Sequence, residues 1–103
     1  MHIDNILNDS IFENNKEIKY SYRLVRENFL DGQAYGIEVE RQDFFNNKLV
    51  YIERNEIRKI SNNKSKVEWL LSLLNDNKVS PIHLVDILGN YVDEYVTDFK
   101  GTL

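Results

Sequence analysis

The chain has 103 residues, and its content of 42% hydrophobic, 12% aromatic and 29% charged residues is globular and excludes wholesale disorder. Its 13 Lys and Arg residues against 17 Asp and Glu residues give a net charge of −4, which excludes a strongly cationic nucleic-acid binder. The absence of cysteine excludes a disulfide framework, a thiolate metal site and a cysteine nucleophile.

Residues 1–16 form a polar N-terminal segment without the features of an export signal. No basic region is present, and Asp4 and Asp9 stand where a signal peptide needs an apolar run. The spacing of Ile3, Leu7 and Ile11 predicts a short docking helix, with a frayed tail as the alternative.

The compartment follows from what the chain lacks. The most apolar stretches, 49–52 and 67–74, are far shorter than the ~20 residues of a membrane helix. With no membrane segment, no export signal and no cysteine, we expect a cytoplasmic protein.

Three segments alternate apolar and polar residues, as half-buried strands do. We predict strands at 18–28, 34–44 and 48–55, with two-residue turns at Asp31-Gly32 and Asn46-Asn47. These turns place Leu24 opposite Val39 and Arg41 opposite Ile52. One face of the meander then collects Tyr20, Tyr22, Leu24, Tyr35, Ile37, Val39, Val50 and Ile52. The other face collects Lys19, Arg23, Glu38, Glu40, Tyr51 and Glu53.

The second part of the chain has helical periodicity, and two helices are predicted at 66–75 and 81–96. Ser65 can cap the first helix, because Glu68 follows at the spacing of a capping box. Ser80 and Pro81 suit the N-cap and first position of the second helix. Gly89 weakens that helix by about 1 kcal/mol relative to Ala, and close approach of another backbone would offset this cost.

The predicted fold is α+β: a three-stranded antiparallel β-meander with a C-terminal helical hairpin packed on one face (β-β-β-α-α) and a possible short N-terminal helix. Residues 17–100 form a single domain after the segment 1–16. The expected core consists of Tyr20, Tyr22, Leu24, Ile37, Val39, Val50, Ile52, Leu70, Leu74, Val85, Leu88 and Val92.

Two groups of residues could carry acid–base chemistry. His83 and Asp86, three residues apart on the second helix, could form a general base with an orienting carboxylate, although such helical surface pairs are ordinary. Glu38, Glu40 and Glu53 could form a paired-carboxylate or Mg²⁺ site, or simply a solvated face of cross-strand charge pairs. The solvated face is favoured because carboxylates need burial to change their pKa. We therefore expect no catalytic residue, no metal site and no cofactor.

Nucleic acid is a poor match to the helical hairpin. A second helix used for recognition would carry no Lys or Arg across 81–99, and its carboxylates would be repelled by phosphate. The basic residues gather elsewhere, at Arg54, Arg58, Lys59, Lys64 and Lys66. A solubilising connection explains that cluster better than a binding patch.

The helices carry more apolar surface than a three-stranded sheet can cover. The residues expected to form an interaction surface are Trp69, Leu73, Leu84, Ile87, Tyr91 and Tyr95. The occupant would be a protein partner or a second copy of the chain, and we expect self-association as a homodimer through the helices. Edge pairing through the third strand, or coverage of the helices by residues 3–12, are the alternatives.

At YGIEVER (35–41) and VSPIHLVDILGNYVDEY (79–95), the chain resembles a small uncharacterised clostridial (Firmicutes) protein family of unknown function. Its members pair a "YGI-x-V" strand with an "SPIHL" helix start, and the resemblance covers about 18–96. It implies a source and a regular fold, and it implies no activity or catalytic residue.

Three functions remain in order of preference. The first is a non-enzymatic protein-interaction or regulatory module. The second is a small enzyme or ligand-binding domain that uses carboxylates of the sheet face, and the third is a DNA-binding regulator.

Overall fold

The computed structural model describes residues 1–102, with side chains for 1–99. One antiparallel sheet, in the order β1-β2-β3-β4, is followed by two α-helices. Its elements are β1 (His2–Glu13), β2 (Lys16–Phe29), β3 (Gly32–Phe45), β4 (Lys48–Ser61), α1 (Lys64–Asp76) and α2 (Leu84–Tyr95). Short 3₁₀ helices at Pro81–His83 and Val96–Thr102 flank α2. No helix in residues 1–102 has the length and apolar character needed to cross a bilayer.

The prediction of three strands is wrong, because the N-terminal segment forms β1 and not a short helix. It pairs with β2 through a turn at Asn14 and Asn15, and Asn14 has a φ of 57°. Leu7 and Ile11 share one face of β1, since a spacing of four residues selects one face in a strand as well as in a helix. The register shift between Ile3 and Asn5 further disguises the alternation.

The turn between β2 and β3 lies one residue earlier than predicted. Leu30 and Asp31 form it, and Leu30 has a φ of 56°. Leu24 therefore faces Ile37 and not Val39. The error shifts the pairing by two residues, so every side chain of β2 and β3 stays on its predicted face.

The turn between β3 and β4 is confirmed at Asn46 and Asn47, but the register beyond it is wrong. A bulge after Phe44 leaves Val50 without a counterpart, and Arg41 consequently faces Glu53 instead of Ile52. A slip of one residue moves Tyr51 and Glu53 to the helix side of the sheet. Val50 and Ile52, expected in the core, are 61% and 44% exposed.

The helix starts also differ from the prediction. Asn63, not Ser65, caps α1, and its side chain accepts a hydrogen bond from the Lys66 N–H at 3.3 Å. Ser80 and Pro81 occupy the predicted N-cap and first positions, but of a 3₁₀ turn at Pro81–His83, and α2 begins only at Leu84. The Ser80 side chain makes no capping hydrogen bond. Proline at the first position suits this tight turn.

The core lies between the helices and one face of the sheet. The expected core residues that are buried are Tyr20, Tyr22, Leu24, Ile37, Val39, Leu70, Leu74 and Leu88. Val85 is 57% exposed, so its predicted burial is wrong, and Val92 is half-buried. Ile60 and Leu84 are fully buried core residues that the expected set lacked.

Candidate interaction surface of the helical layer

The outer side of the helical hairpin carries a continuous row of large side chains where α1 and α2 meet. The ring of Trp69 lies 5.6 Å from that of Tyr91, and Tyr91 lies 6.2 Å from Tyr95. Leu73 and Ile87 extend the row at helical spacings of four residues. We call these five residues the seam: Trp69, Leu73, Ile87, Tyr91 and Tyr95.

The seam is accessible to a partner. Trp69 is 53% exposed and Ile87 is 42% exposed, whereas Leu73, Tyr91 and Tyr95 are half-buried against the core. Leu84, predicted with them, is fully buried and is not part of this surface. Leu84 and Leu88 share the helix face that contacts the sheet, so sequence spacing alone could not separate the inner face from the seam.

A cleft of about 450 Å³ opens at one end of the seam. Leu73 and Ile87 line it from the two helices, and Val79 and His83 come from the connection between them. The cleft therefore has the apolar lining and the size to receive a bulky side chain.

Exposed carboxylates lie on the outer surface of α1 and α2. They are Glu68, Asp76, Asp86, Asp93 and Glu94. None of them is in an ion pair within the described part of the chain. The outer surface of the helical layer thus carries an apolar row and five exposed carboxylates, with Lys66 over the Tyr95 ring at one end of the seam and Lys78 in the cleft at the other.

The first catalytic candidate is not assembled. His83 lies in the 3₁₀ turn and Asp86 in the first turn of α2, and both are exposed. Among the side-chain contacts of residues 1–99, no hydrogen bond joins them. His83 instead contributes to the wall of the cleft.

The three glutamates of the second candidate lie on opposite faces of the sheet. Glu38 and Glu40 occupy the face without helices, where Arg23 pairs with both and Arg54 also pairs with Glu40. Glu53 lies on the helix side and accepts hydrogen bonds from the Ile82 N–H and the Tyr51 hydroxyl. Because the bulge moves Glu53 away from Glu40, these carboxylates cannot act as a pair.

A polar cluster that sequence reasoning missed fixes the connection between the helices onto the sheet. Arg41 donates two hydrogen bonds to Asp43, at 2.8 and 3.0 Å, and lies 3.5 Å from the Ser80 hydroxyl. The hydrogen bonds from Arg41 hold the pKa of Asp43 below its usual value. Tyr22 donates to the Val79 carbonyl at 3.0 Å. The only sequence signal was the i, i+2 spacing of Arg41 and Asp43, which places them on one strand face.

The basic residues at the end of β4 and the start of α1 all have intramolecular contacts. Arg54 pairs with Glu40, Arg58 with Glu27, Lys64 with Asp4 and Lys66 with Asp98. Lys59 lies over the Phe29 ring at 4.8 Å. In residues 1–102, no group of three or more His, Asp or Glu side chains is placed to hold a metal ion.

Comparison with known proteins gives one match. The model of a family of unknown function (DUF6514) matches residues 1–94, which includes the sheet and nearly all of both helices. The clostridial origin suggested by the two sequence motifs stays a prediction. No curated protein and no solved structure matches the chain.

Proposed function

We propose that this chain, which belongs to the family of unknown function DUF6514, is a non-enzymatic protein-interaction module that binds its partner through the seam. The observation that carries the proposal is the exposure of Trp69 and Ile87 beside a cleft of about 450 Å³. Exposed aromatic anchors next to an apolar pocket are the usual centre of a binding site.

The charges around the seam support a particular partner chemistry. Five exposed carboxylates lie on α1 and α2, and residues 81–99 contain no Lys or Arg. The cations nearest the seam are Lys66, over the Tyr95 ring at 4.9 Å, and Lys78, in the wall of the cleft, so the carboxylates outnumber them. A segment with bulky apolar residues flanked by Lys or Arg would bury the seam and neutralise the carboxylates. A second copy would bring the same acidic surface, so we favour a different chain as the partner.

Peptide selection tests this proposal. A displayed library of random peptides is selected against the protein, and the selected peptides are titrated while tryptophan fluorescence is recorded. Trp69 is the only tryptophan, so its emission reports directly on the seam. We expect peptides rich in bulky apolar and basic residues, and a shift of the emission to shorter wavelength on binding.

A pair of variants localises the binding. Ile87→Asp places a charge in the seam and should weaken binding at least ~10-fold, about 1.4 kcal/mol. Phe12→Asp makes the same kind of change at a residue of β1 that is 74% exposed and should leave the affinity unchanged. Equal binding by both variants, or selection of acidic peptides, would contradict the proposal.

A further inference from the structure

A second surface lies along β4, because the chain from Ile82 to Asp98 follows this strand for much of its length. At one end, the Ile82 N–H donates to Glu53 at 3.0 Å. At the other end, the Ser61 hydroxyl donates to Asp98. The start of this segment therefore lies at Glu53 and its end at Ser61, so α2 runs along β4 in the same direction.

One side of α2 is left uncovered. Leu84 and Leu88 are buried on the sheet side, while Ile87 and Tyr91 are turned towards α1. Val85, Gly89, Val92 and Val96 lie on the side away from α1, and we call them the outer flank. Val85 and Val96 are 57% and 51% exposed.

Gly89 is unexplained by contacts within the chain. A Cβ atom at Gly89 would meet nothing within 4 Å, and the φ of Gly89 is not positive. Glycine inside a helix costs about 1 kcal/mol relative to Ala. The space beside Gly89 is empty among the described residues, so another chain could approach the outer flank closely at this point.

Beside the outer flank runs the free edge of the sheet. β4 is the last strand in the order β1-β2-β3-β4, so its outer backbone groups have no neighbouring strand. The backbone–backbone hydrogen bonds found outside the helices and sheet ladders of residues 1–102 do not involve β4. The Glu56 N–H donates to the Asn55 side chain at 2.9 Å, a local contact that an added strand would replace. The edge of β4 from Glu53 to Arg58, which precedes most of the register shift opposite Gly36, lies beside the outer flank, and we call the strip between them the groove.

We propose that this groove binds an extended segment of a partner protein as a fifth strand of the sheet. Main-chain hydrogen bonds to β4 would hold the segment, and its alternate apolar side chains would pack under Val85, Gly89 and Val96. Strand addition of this kind uses an unpaired edge and an adjacent apolar surface, and both are present here.

The charged side chains of β4 indicate which residues the bound segment should carry on the side of the sheet without helices. Arg54 and Arg58, with side chains 64% and 49% exposed, lie on the sheet face without helices, with the exposed Glu56 between them. Arg54 and Arg58 already pair with Glu40 and Glu27, but their exposed guanidinium groups leave room for a second carboxylate. Cross-strand neighbours of opposite charge are favourable, so the segment should present an acidic, a basic and an acidic residue there. The expected pattern is Glu-Val-Lys-Val-Glu or a chemical equivalent.

A second copy does not fit this groove. Adjacent strands lie about 4.8 Å apart, and pairing of two β4 strands at this part of the edge would bring the two α2 helices to a similar separation. Packed helices need about 8–10 Å between their axes. A single extended segment avoids this clash because it brings no helix.

Binding of labelled peptides, measured by fluorescence anisotropy, tests the proposal. The probe contains Glu-Val-Lys-Val-Glu, and the matched control contains Lys-Val-Glu-Val-Lys. A third peptide carries N-methyl groups at alternate backbone nitrogens of the probe, which removes the donors that strand addition requires. We expect the control and the methylated peptide to bind at least ~10-fold more weakly than the probe.

Two protein variants complete the test. Gly89→Arg fills the groove and should weaken probe binding at least ~10-fold, while Asn90→Arg, at the next and exposed position of α2, should not. Equal loss in both variants, or undiminished binding of the methylated peptide, would overturn the proposal. Light scattering provides a further check, because a dimer that is abolished by Gly89→Arg and excludes the probe would show that a second copy occupies the groove.

Discussion

Gly36 lies in β3, directly against the backbone of β4. A Cβ atom at this position would stand 2.2 Å from the carbonyl oxygen of Ile57 and 2.3 Å from that of Arg58. Both contacts are with backbone, which cannot move aside as a flexible side chain can. The register shift between Tyr35 and Ile37 in the β3–β4 ladder therefore depends on glycine at this site.

Gly36→Ala is expected to lower the free energy of unfolding by about 3 kcal/mol or more, because the backbone of β4 must shift. Gly32→Ala is the matched control, since a Cβ there meets nothing within 4 Å and the φ of Gly32 is not positive. The control should stay within about 1 kcal/mol of the parent chain. A urea titration of the two variants measures both effects, and equal stabilities would refute the assigned contact.

Asp43 makes the free energy of unfolding depend on pH. It is 5% exposed, and its pKa is lowered from 3.8, first by the hydrogen bonds from Arg41. Because the pKa of Asp43 is lower in the folded protein, its contribution to stability is fully present above the pKa that it has in the unfolded chain. That contribution is lost as the pH falls through the pKa that it has in the folded protein. The pKa values of Asp9 and Asp98 are lowered too, by Lys78 and Ser61 first.

We therefore expect the free energy of unfolding to be nearly constant just above pH 5 and to fall below about pH 4. Asp43→Asn should destabilise the protein at pH 7 and make its loss of stability in acid shallower than that of the parent. Asp86→Asn, at an exposed position of α2, serves as the control. Denaturant titrations at a series of pH values give the two slopes, and identical slopes would contradict this role of Asp43.

Among the elements, α1 shows how a cap is selected. Two residues could begin this helix, and the structure uses Asn63, whose side-chain oxygen accepts the Lys66 N–H. Ser65, the residue favoured by the capping-box spacing to Glu68, lies inside the first turn. The end of β4 at Ser61 leaves room for the earlier cap, and the Ser61 hydroxyl also accepts the Asn63 N–H at 3.0 Å.

Asn63→Ala should lower the free energy of unfolding by about 1 kcal/mol through loss of this cap. Ser65→Ala should change it by less than about 0.5 kcal/mol, because serine at an exposed helical position is readily replaced by alanine. Thermal and urea denaturation distinguish the two assignments. A larger loss of unfolding free energy for Ser65→Ala than for Asn63→Ala would show that Ser65 is the cap.

For the whole molecule, the self-association expected from the sequence stays a prediction. Two copies that met through their seams would bring their exposed carboxylates together, and salt screens such repulsion. We expect a seam dimer to form more readily at about 1 M NaCl than at about 10 mM. Light scattering should then give a mass that rises above 12.2 kDa with salt.

Ile87→Asp should keep the protein monomeric at both salt concentrations, and Phe12→Asp should not. A mass that falls with salt, or that responds equally to both variants, would exclude the seam as the dimer surface.

The candidate site was largely predictable because a helix displays its periodicity locally. Trp69 and Leu73 are four residues apart on α1, and Ile87, Tyr91 and Tyr95 follow one another at the same spacing on α2. Leu84 was misplaced because an apolar residue on a helix flank has the same spacing whether it faces the sheet or the seam. Only the packing of α2 on β4 separates these faces.

The sequence by itself determined the alternation of β2 and β3, the turn at Asn46 and Asn47, and the two C-terminal helices, because each depends on neighbours within a few residues. The tertiary structure alone decided that residues 2–13 form a fourth strand, since a polar edge strand is stabilised by pairing with β2. It also decided which face of β4 is buried. One bulged residue, Val50, inverts that face, and a bulge is defined only by the strand opposite it.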